Sequence, residues 1–545
     1  MNSIYVDQTG YLPGNRKRAA MNFSADSFEI RDEEDRPVYE GRVTHFGTDD
    51  ISGEDIYTAA FDDFDREGTY RVYAGGVSSV PFKISDNVYD GLLKDLCKCL
   101  YYLRCGNALD EGHAGVFYHK PCHMLKARIY GGDGEVDVCG GWHDAGDYGR
   151  YSTAGAVALG HILYAVRFYE GLKDVKFDIP EVAGDKGDLP DILAEAKVEL
   201  DFLMKMQRED GSVWHKVTTF CHAPFIMPED DKGELFLFPV SSMATADIAA
   251  VMALAYTVYK DHDASYAARL MDASLKAYGW LKVNPEPVLF KNAEGSDTGE
   301  YGEREDISNR FWAACALYEA VGEKAYLEDA LKMAAILKEH GPEFMGRGDV
   351  FTGLGWAGVA GFGSMSLMLR NDDDPLCREV KERFIKEADR LRIAAGKNGF
   401  GLCMEKADYI WGSNMELLKY MMILTLAGSL TGDAGYKDVI LAGMDYLLGC
   451  NTMDTGYVTG AGAKSYRHPH LRPTVAGRLS EPWPGLVSGG PNMYLQDDKA
   501  KEIKKGTPPM KCYIDHEEAY SVNEITIYWN SPFIFVLAAL VCDKK

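Results

Sequence analysis

Apolar side chains come in short bursts over the first 85 residues and then change rhythm. Segments 4–6, 18–23, 27–31, 38–44, 56–61, 69–73 and 80–84 are short and rich in β-branched and aromatic residues. Several alternate apolar with polar, the period of a half-buried strand. Pro13-Gly14-Asn15, residues 32–35 and Glu67-Gly68 separate them, and such residues favour turns. After Asp86 the period changes to three and four. Leu92, Leu93, Leu96, Leu100 and Leu103 fall on one face of a helix. Similar runs predict helices near 153–170, 190–206, 243–260, 264–282, 306–321, 325–339, 378–394, 411–430, 435–449 and 531–542.

About seven strands in about 85 residues is the pattern of an immunoglobulin-like sandwich. Cys is absent from that stretch, so the inter-sheet disulfide of antibody domains is not expected. About eleven helices without a repeat of fixed length predict a toroid of paired helices. The expected domains are a β-sandwich over 1–85 and an all-α domain over 86–545. Polar loops at 109–150, 209–242, 284–305 and 451–523 would lie at the ends of the toroid, where function is usually carried.

Charge narrows the partners. The 545 residues carry 58 Lys+Arg against 83 Asp+Glu, a formal net charge of -25. Phosphate contacts need clustered Lys and Arg, so neither nucleic acid nor an anionic membrane is an expected partner. The apolar stretch 533–541 is too short to span a bilayer, and 1–20 holds no apolar run with a basic flank. The expectation is a cytoplasmic monomer, or a secreted protein if a leader has been removed.

Three constellations carry chemistry. In Gly140-Gly141-Trp142-His143-Asp144-Ala145-Gly146-Asp147-Tyr148, two carboxylates three residues apart precede a predicted helix. Such a pair can orient a water and take its proton, or it can cap the helix. A calcium loop of the EF-hand kind would need Asp at alternate positions and a Glu twelve along, which is not the pattern. Glu524 lies in an apolar, aromatic stretch beside Asn523, a setting that favours a protonated carboxyl, although a Glu in a first helical turn is also favoured by the helix dipole. Arg467-His468-Pro469-His470-Leu471-Arg472-Pro473 offers His470 and Arg472, stiffened by prolines, as a structural pair or as hydrogen-bonding groups for a polar substrate.

Together these segments resemble glycoside hydrolase family 9, the inverting cellulases with an N-terminal immunoglobulin-like domain. The resemblance covers the whole chain. Val6-Asp7-Gln8-Thr9-Gly10-Tyr11-Leu12-Pro13 is similar to the opening of that domain, and Gly140 to Asp147 resembles the family's Asp-Ala-Gly-Asp segment. Gly462-Ala463-Lys464 followed by Pro469-His470-Leu471-Arg472 follows one signature. Tyr513, Asp515, Tyr520, Glu524, Thr526, Asn530 and Ser531 fall at the spacing of another. The resemblance implies an (α/α)6 barrel with Asp147 as catalytic base, Asp144 as its partner on the attacking water and Glu524 as proton donor. It also implies sugar contacts from His470 and Arg472, a site shaped by Tyr520 and Asp515, and a subsite tryptophan at Trp411. Leu471 departs from relatives that carry a second His there. Gly477 departs from those with an Asp calcium ligand, which counts against that calcium site; calcium stays a cofactor alternative, its ligands unknown.

Cys105, Cys122, His123 and His143 form a set suited to tetrahedral zinc. Four protein ligands leave no open position, so the role would be structural. Some members of the resembled family hold zinc at these positions. His119 and Cys139 are rival ligands. Asp297, Glu300, Glu303, Glu305 and Asp306 make an acidic loop read as a solvated face. Tyr301, Trp356, Trp411 and Trp483 are candidates for sugar stacking or for core packing.

The expected function is inverting endo-β-1,4-glucanase action on soluble or amorphous glucan, with the two carboxyl groups roughly 6.5–9.5 Å apart. Exo-action on cello- or chito-oligosaccharides is the alternative. A non-catalytic carbohydrate-binding protein on the same fold is the rival from another class.

Overall fold

The structure is a computed structural model. It describes residues 2–182, 189–302, 304–340, 348–477 and 479–542. By packing, the chain falls into two units. The first gathers Met1–Leu96, Ala388–His470 and Leu479–Ile525, and the second gathers Cys97–Glu387, Leu471–Arg478 and Thr526–Lys545.

The first unit begins with strands Ile4–Tyr5, Gly10–Tyr11, Arg18–Met21, Ser27–Arg31, Pro37–Asp49, Glu54–Ala60, Gly68–Ala74, Val77–Ser78 and Phe82–Ile84. Gly10–Tyr11 and Val77–Ser78 escape the alternation pattern because two residues are too few to show a period. Pro37–Asp49 pairs with Ser27–Arg31 through its first half and with Glu54–Ala60 through its second. The register slips between His45 and Gly47 within the second pairing, a bulge that bends the strand locally. Alternation aims Phe28, Ile30, Tyr70 and Val72 into a core with Tyr11, Phe61 and Phe82. Tyr11 meets Phe61 and Phe82 edge-on at 5.2 and 5.1 Å, a favourable quadrupole arrangement. In the same unit, helices Ser413–Thr431 and Gly435–Leu447 pack together. Arg16 pairs with buried Asp445 at 2.5 Å. Gln8 N–H donates to Leu448 O, and Gln8 Oε1 accepts from Lys464 N.

The second unit is a series of helices. Ile527–Leu537 packs on Ser152–Phe168, which packs on Ser242–Tyr259, then Ile307–Val321, then Ala360–Arg370. Asp191–Lys205, Ala264–Val283 and Lys324–His340 each back one of these. Members of the series are buried on nearly every side and have no polar stripe. That is why Ala360–Arg370 was not predicted: its Gly, Ser and Met residues show no period when every face is covered. Ser242–Tyr259 is long and apolar enough to cross a membrane by composition, and 94% of it is buried inside the protein.

One correction concerns the regions read as polar loops. Residues from 127–151 and 216–237 pair into a five-stranded sheet of Glu135–Val136, Ala127–Ile129, Phe236–Leu237, Lys216–Thr218 and Arg150–Tyr151, in that spatial order. Each strand is two or three residues long, below what alternation reveals. The sheet sets Tyr151 directly opposite Lys216.

Candidate active site and metal cluster

Asp144 and Asp147 sit on a turn just before helix Ser152–Phe168. Asp144 N–H bonds to Gly149 O at 3.0 Å, while Ile527 N–H donates to Asp144 O at 2.8 Å. Ala145 forms a bridge with Thr526. Buried Trp142 fastens the approach: its N–H and indole N–H donate to Glu199 and Glu195 of helix Asp191–Lys205 at 2.7 and 2.8 Å. The turn is therefore tied down on both flanks, and both carboxylates are buried.

Each carboxylate is held by a tyrosine. Tyr301 Oη–H donates to Asp144 Oδ2 at 2.5 Å, and Tyr151 Oη–H donates to Asp147 Oδ2 at 3.1 Å. Gly149 N–H adds a bond to Asp147 Oδ2 at 3.0 Å, with His222 Nδ1 at 3.5 Å. Burial opposes ionisation of Asp147. His222, Arg472, the Gly149 N–H and the Tyr151 hydroxyl outweigh it and hold the carboxyl below its ordinary value. Burial, reinforced by the neighbouring carboxylates, keeps both phenols protonated and therefore donating. A Cβ at position 149 would stand 2.5 Å from Tyr151 Oη and 2.6 Å from Asp147 Oδ2, so a larger residue there forces these side chains to shift.

Arg472, expected on the sugar, donates to backbone: Nη1 to Gly146 O at 2.6 Å and Nε to Ala223 O at 2.7 Å. It braces the residue between the two aspartates. Tyr301, a stacking candidate, carries the hydrogen bond to Asp144 and meets Trp356 edge-on at 5.2 Å. Trp356 is half-buried.

Glu524 belongs to the first unit and is half-buried. Its backbone is fixed by its own N–H to Tyr520 O at 3.2 Å and by Gly489 N–H to its O at 2.8 Å. His470 bridges to it in parallel fashion, with His470 N–H on Asn523 O at 2.9 Å. Asn523 is locked at both amide atoms, accepting from Tyr513 Oη at 2.5 Å and donating to Asp515 at 3.0 Å. Asp515, also expected to shape the site, accepts the backbone N–H groups of Arg467 and His468 at 2.8 and 2.9 Å. It therefore sets the loop that leads to His470. His470 Nδ1 donates to Glu517 O at 2.6 Å, which fixes the orientation of the ring. Trp411, Tyr520 and His470 follow one another as rings at 5.4 and 5.7 Å, and both Trp411 and Tyr520 are 38% exposed, as a stacking platform requires. Trp483, at 2% exposure, is core.

Sequence reasoning missed Tyr151, His222 and Lys216. Tyr151, four residues after Asp147, gave a local signal. The other two become visible only through the five-stranded sheet and its loops. In the acidic loop, Asp297 accepts His222 N–H at 2.8 Å, Glu300 accepts Asn292 N–H at 2.9 Å and Asp306 pairs with Arg310 at 2.9 Å. These are braces more than a solvated face. Glu303 lies outside the described residues.

Cys105, Cys122, His123 and His143 come together, all buried, with their ligand atoms within 4.8 Å of one another. His143 Nε2 is 3.3 Å from His123 Nδ1 and 3.9 Å from Cys122 Sγ. Zn–S and Zn–N bonds of about 2.3 and 2.0–2.1 Å give tetrahedral edges of roughly 3.3–3.8 Å, so the donor set fits a metal ion of that size. His123 adopts a left-handed φ of 48°, a strained position for histidine, and its outer nitrogen faces Asp231 at 3.3 Å. A carboxylate behind a ligating imidazole is the usual way to fix its orientation. Burial disfavours a Cys105 thiolate, yet Cys122, Arg150 and His143 hold Cys105 well below its ordinary value. Burial pushes His143 down toward the neutral imidazole. The rivals stand apart: His119 Nδ1 bonds Lys120 O at 2.7 Å, and the Cys139 thiol lies against the Met124 sulfur at 3.6 Å.

Comparison with known proteins agrees with this architecture. The family description "Glycosyl hydrolase family 9" matches residues 89–537, and "Cellulase N-terminal ig-like domain" matches residues 1–79. The chain is 60% identical over 546 residues to the Cellodextrinase of Butyrivibrio fibrisolvens, covering 99% of this chain and all of that protein. It is 33% identical over 549 residues to Endoglucanase D of Acetivibrio thermocellus, covering 99% and 83% of the two. A thermostable endoglucanase from Alicyclobacillus acidocaldarius matches with a TM-score of 0.90 at 36% identity, covering 99% of both chains. A Zn-binding triple mutant of a family 9 endoglucanase matches at 0.89 and 32%, covering 98% and 100%. The chain is therefore a glycoside hydrolase and belongs to glycosyl hydrolase family 9, with an immunoglobulin-like β domain followed by the helical (α/α)6 domain of that family.

Proposed function

We propose that this protein cleaves β-1,4-glucosidic bonds of cellulose-type glucans with inversion. The observation that carries the reading is Asp147: a buried carboxylate kept ionised by His222, Arg472 and two hydrogen bonds is what a base on water requires. Asp144, with one oxygen taken up by Tyr301, orients the same water. Glu524, half-buried beside the Trp411–Tyr520–His470 platform, protonates the leaving oxygen. Inversion asks acid and base to act on opposite faces of the sugar, with room for the water. The new reducing end then forms as the α anomer, and proton NMR of early products reads this directly. A first-formed β anomer sinks the mechanism. Glu524→Gln is expected to lose turnover on cellopentaose while retaining hydrolysis of β-cellobiosyl fluoride, whose leaving group needs no proton. Equal loss on both substrates removes Glu524 from the donor role.

Endo-action on soluble or amorphous glucan is the first reading. The 60% identity to a protein named Cellodextrinase favours a second, exo-action on short cello-oligosaccharides. Viscosity of carboxymethylcellulose against released reducing ends separates them: a rapid fall in viscosity supports endo-action. Release of terminal units from cellopentaose with viscosity unchanged supports exo-action.

We also infer that Cys105, Cys122, His123 and His143 hold a structural zinc. Bound there, the metal supplies a cross-link with no open position for chemistry. Its contribution to the reaction is to pin the segment that ends at Asp144.

A further inference from the structure

Lys216 stands opposite Tyr151 in the five-stranded sheet and is fully buried. A buried ammonium must have its donors satisfied. Here Asn292 Oδ1, Thr298 Oγ1 and Gly299 O accept at 2.7, 2.9 and 2.7 Å. The rings of Phe238, Phe290 and Tyr151 surround the charge with centroids at 4.7, 5.4 and 5.6 Å. All three acceptors lie on one segment, 292–299, which runs on to Tyr301. That segment reaches both aspartates. Gly299 N–H donates to Tyr151 Oη at 3.1 Å, and Tyr151 donates to Asp147. Tyr301 donates to Asp144. The approach at Gly299 is close: a Cβ there would stand 3.2 Å from both tyrosine rings.

We propose that Lys216 is a positioning residue for hydrolysis: its ammonium pins segment 292–301, and through Tyr151 and Tyr301 that segment sets Asp147 and Asp144 on the attacking water. The proposal rests on the reading of Asp147 as base.

The charged and titratable groups around Lys216 are Asp147, Glu300 and Asp297, which favour the ammonium, together with Tyr151 and His215. His215 is driven neutral by burial, down to about 3. Burial outweighs the carboxylates and pushes Lys216 from 10.5 to about 8. A lysine whose folded value lies below its unfolded one adds stability as pH rises between the two. Deprotonation of Lys216 itself therefore does not cost stability. It does replace three donors by two and turns a lone pair toward oxygens, which slackens the segment.

The test measures β-cellobiosyl fluoride hydrolysis against pH, so that Glu524 drops out, for the intact protein, Lys216→Arg, Lys216→Met and Thr298→Val. The expected result is an alkaline fall in kcat near pH 8 for the parent with no fall in Tm. Lys216→Arg moves that fall upward. Lys216→Met lowers kcat about tenfold or more with KM changed less than about threefold, and Thr298→Val gives a smaller loss of the same kind. Parental kcat and pH profile in Lys216→Met overturn the proposal. If that variant does not fold, an unmoved alkaline limb in Lys216→Arg overturns it alone. Full activity in Asp147→Asn would instead sink the base assignment itself.

Discussion

His143 and Asp144 are neighbours in the chain, yet their side chains belong to two sites built on different principles. The Cys/His cluster draws all four side chains from residues 105–143, all buried, with their potential ligand atoms within 4.8 Å of one another. The acid pair draws only its two carboxylates from the adjoining turn. Its supports, Tyr151, His222, Tyr301 and Arg472, arrive from separate parts of the second unit. A closed cluster depends on each ligand in an all-or-none way. A carboxylate held by several hydrogen bonds degrades by steps as they are removed. The two sites should therefore respond differently to single substitutions.

The largest expected effect is on the cluster. Elemental analysis of the parent should find about one zinc per chain; Cys105→Ser should lose most of it and should melt at clearly lower temperature, because metal binding and folding are coupled. Activity should fall with it, since the cluster ends one residue before Asp144. A Cys105→Ser protein with full zinc content refutes the ligand assignment, and one with full zinc and full Tm refutes the contrast.

Next comes the turn itself. Gly149→Ala places a methyl group against Asp147 Oδ2 and Tyr151 Oη, at distances no real Cβ tolerates. The carboxylate must shift, and a displacement near 1 Å at a base costs on the order of 10²-fold in kcat. Zinc content should be unchanged. A variant with parental kcat shows that the Tyr151 contact does not set the base.

These contrasts also mark what could be read in the chain beforehand. Strands such as Ser27–Arg31 announced themselves because one face is buried and one is wet. Ala360–Arg370 did not, since burial on all sides erases the period. The four ligands stood out because Cys and His are chemically distinctive and close in sequence. Asp144, Asp147 and Glu524 stood out by spacing and by resemblance. What holds them was hidden. Tyr151 and Lys216 meet through strands of two and three residues, and His222 reaches Asp147 from a loop with no local signal. Arg472 and Asp515 drew attention as polar residues beside a candidate site, but the residue type did not reveal that their bonds go largely to backbone.

The smallest expected effect concerns pH and the outermost support of the acid pair. Asp147 has a folded value below the ordinary 3.8 of an aspartate. Its contribution to stability is therefore present above the unfolded value and lost as pH falls through the lower folded one. On β-cellobiosyl fluoride, which removes the need for an acid, the acidic limb of kcat should accordingly lie below pH 3.8 in the parent. Burial works against this, so the limb depends on the charges that oppose burial, and His222 is the first of them. Its side chain is 34% exposed and 3.5 Å from Asp147 Oδ2, so solvent screens part of its effect. His222→Gln should move the limb upward by a small amount, with kcat at pH 6 nearly unchanged. Arg472, the Gly149 N–H and Tyr151 remain in place and account for the small size of the shift. A limb that stays where it is assigns the low value to those three groups alone, and a collapse of kcat at pH 6 would show that the acid pair behaves like the metal cluster after all.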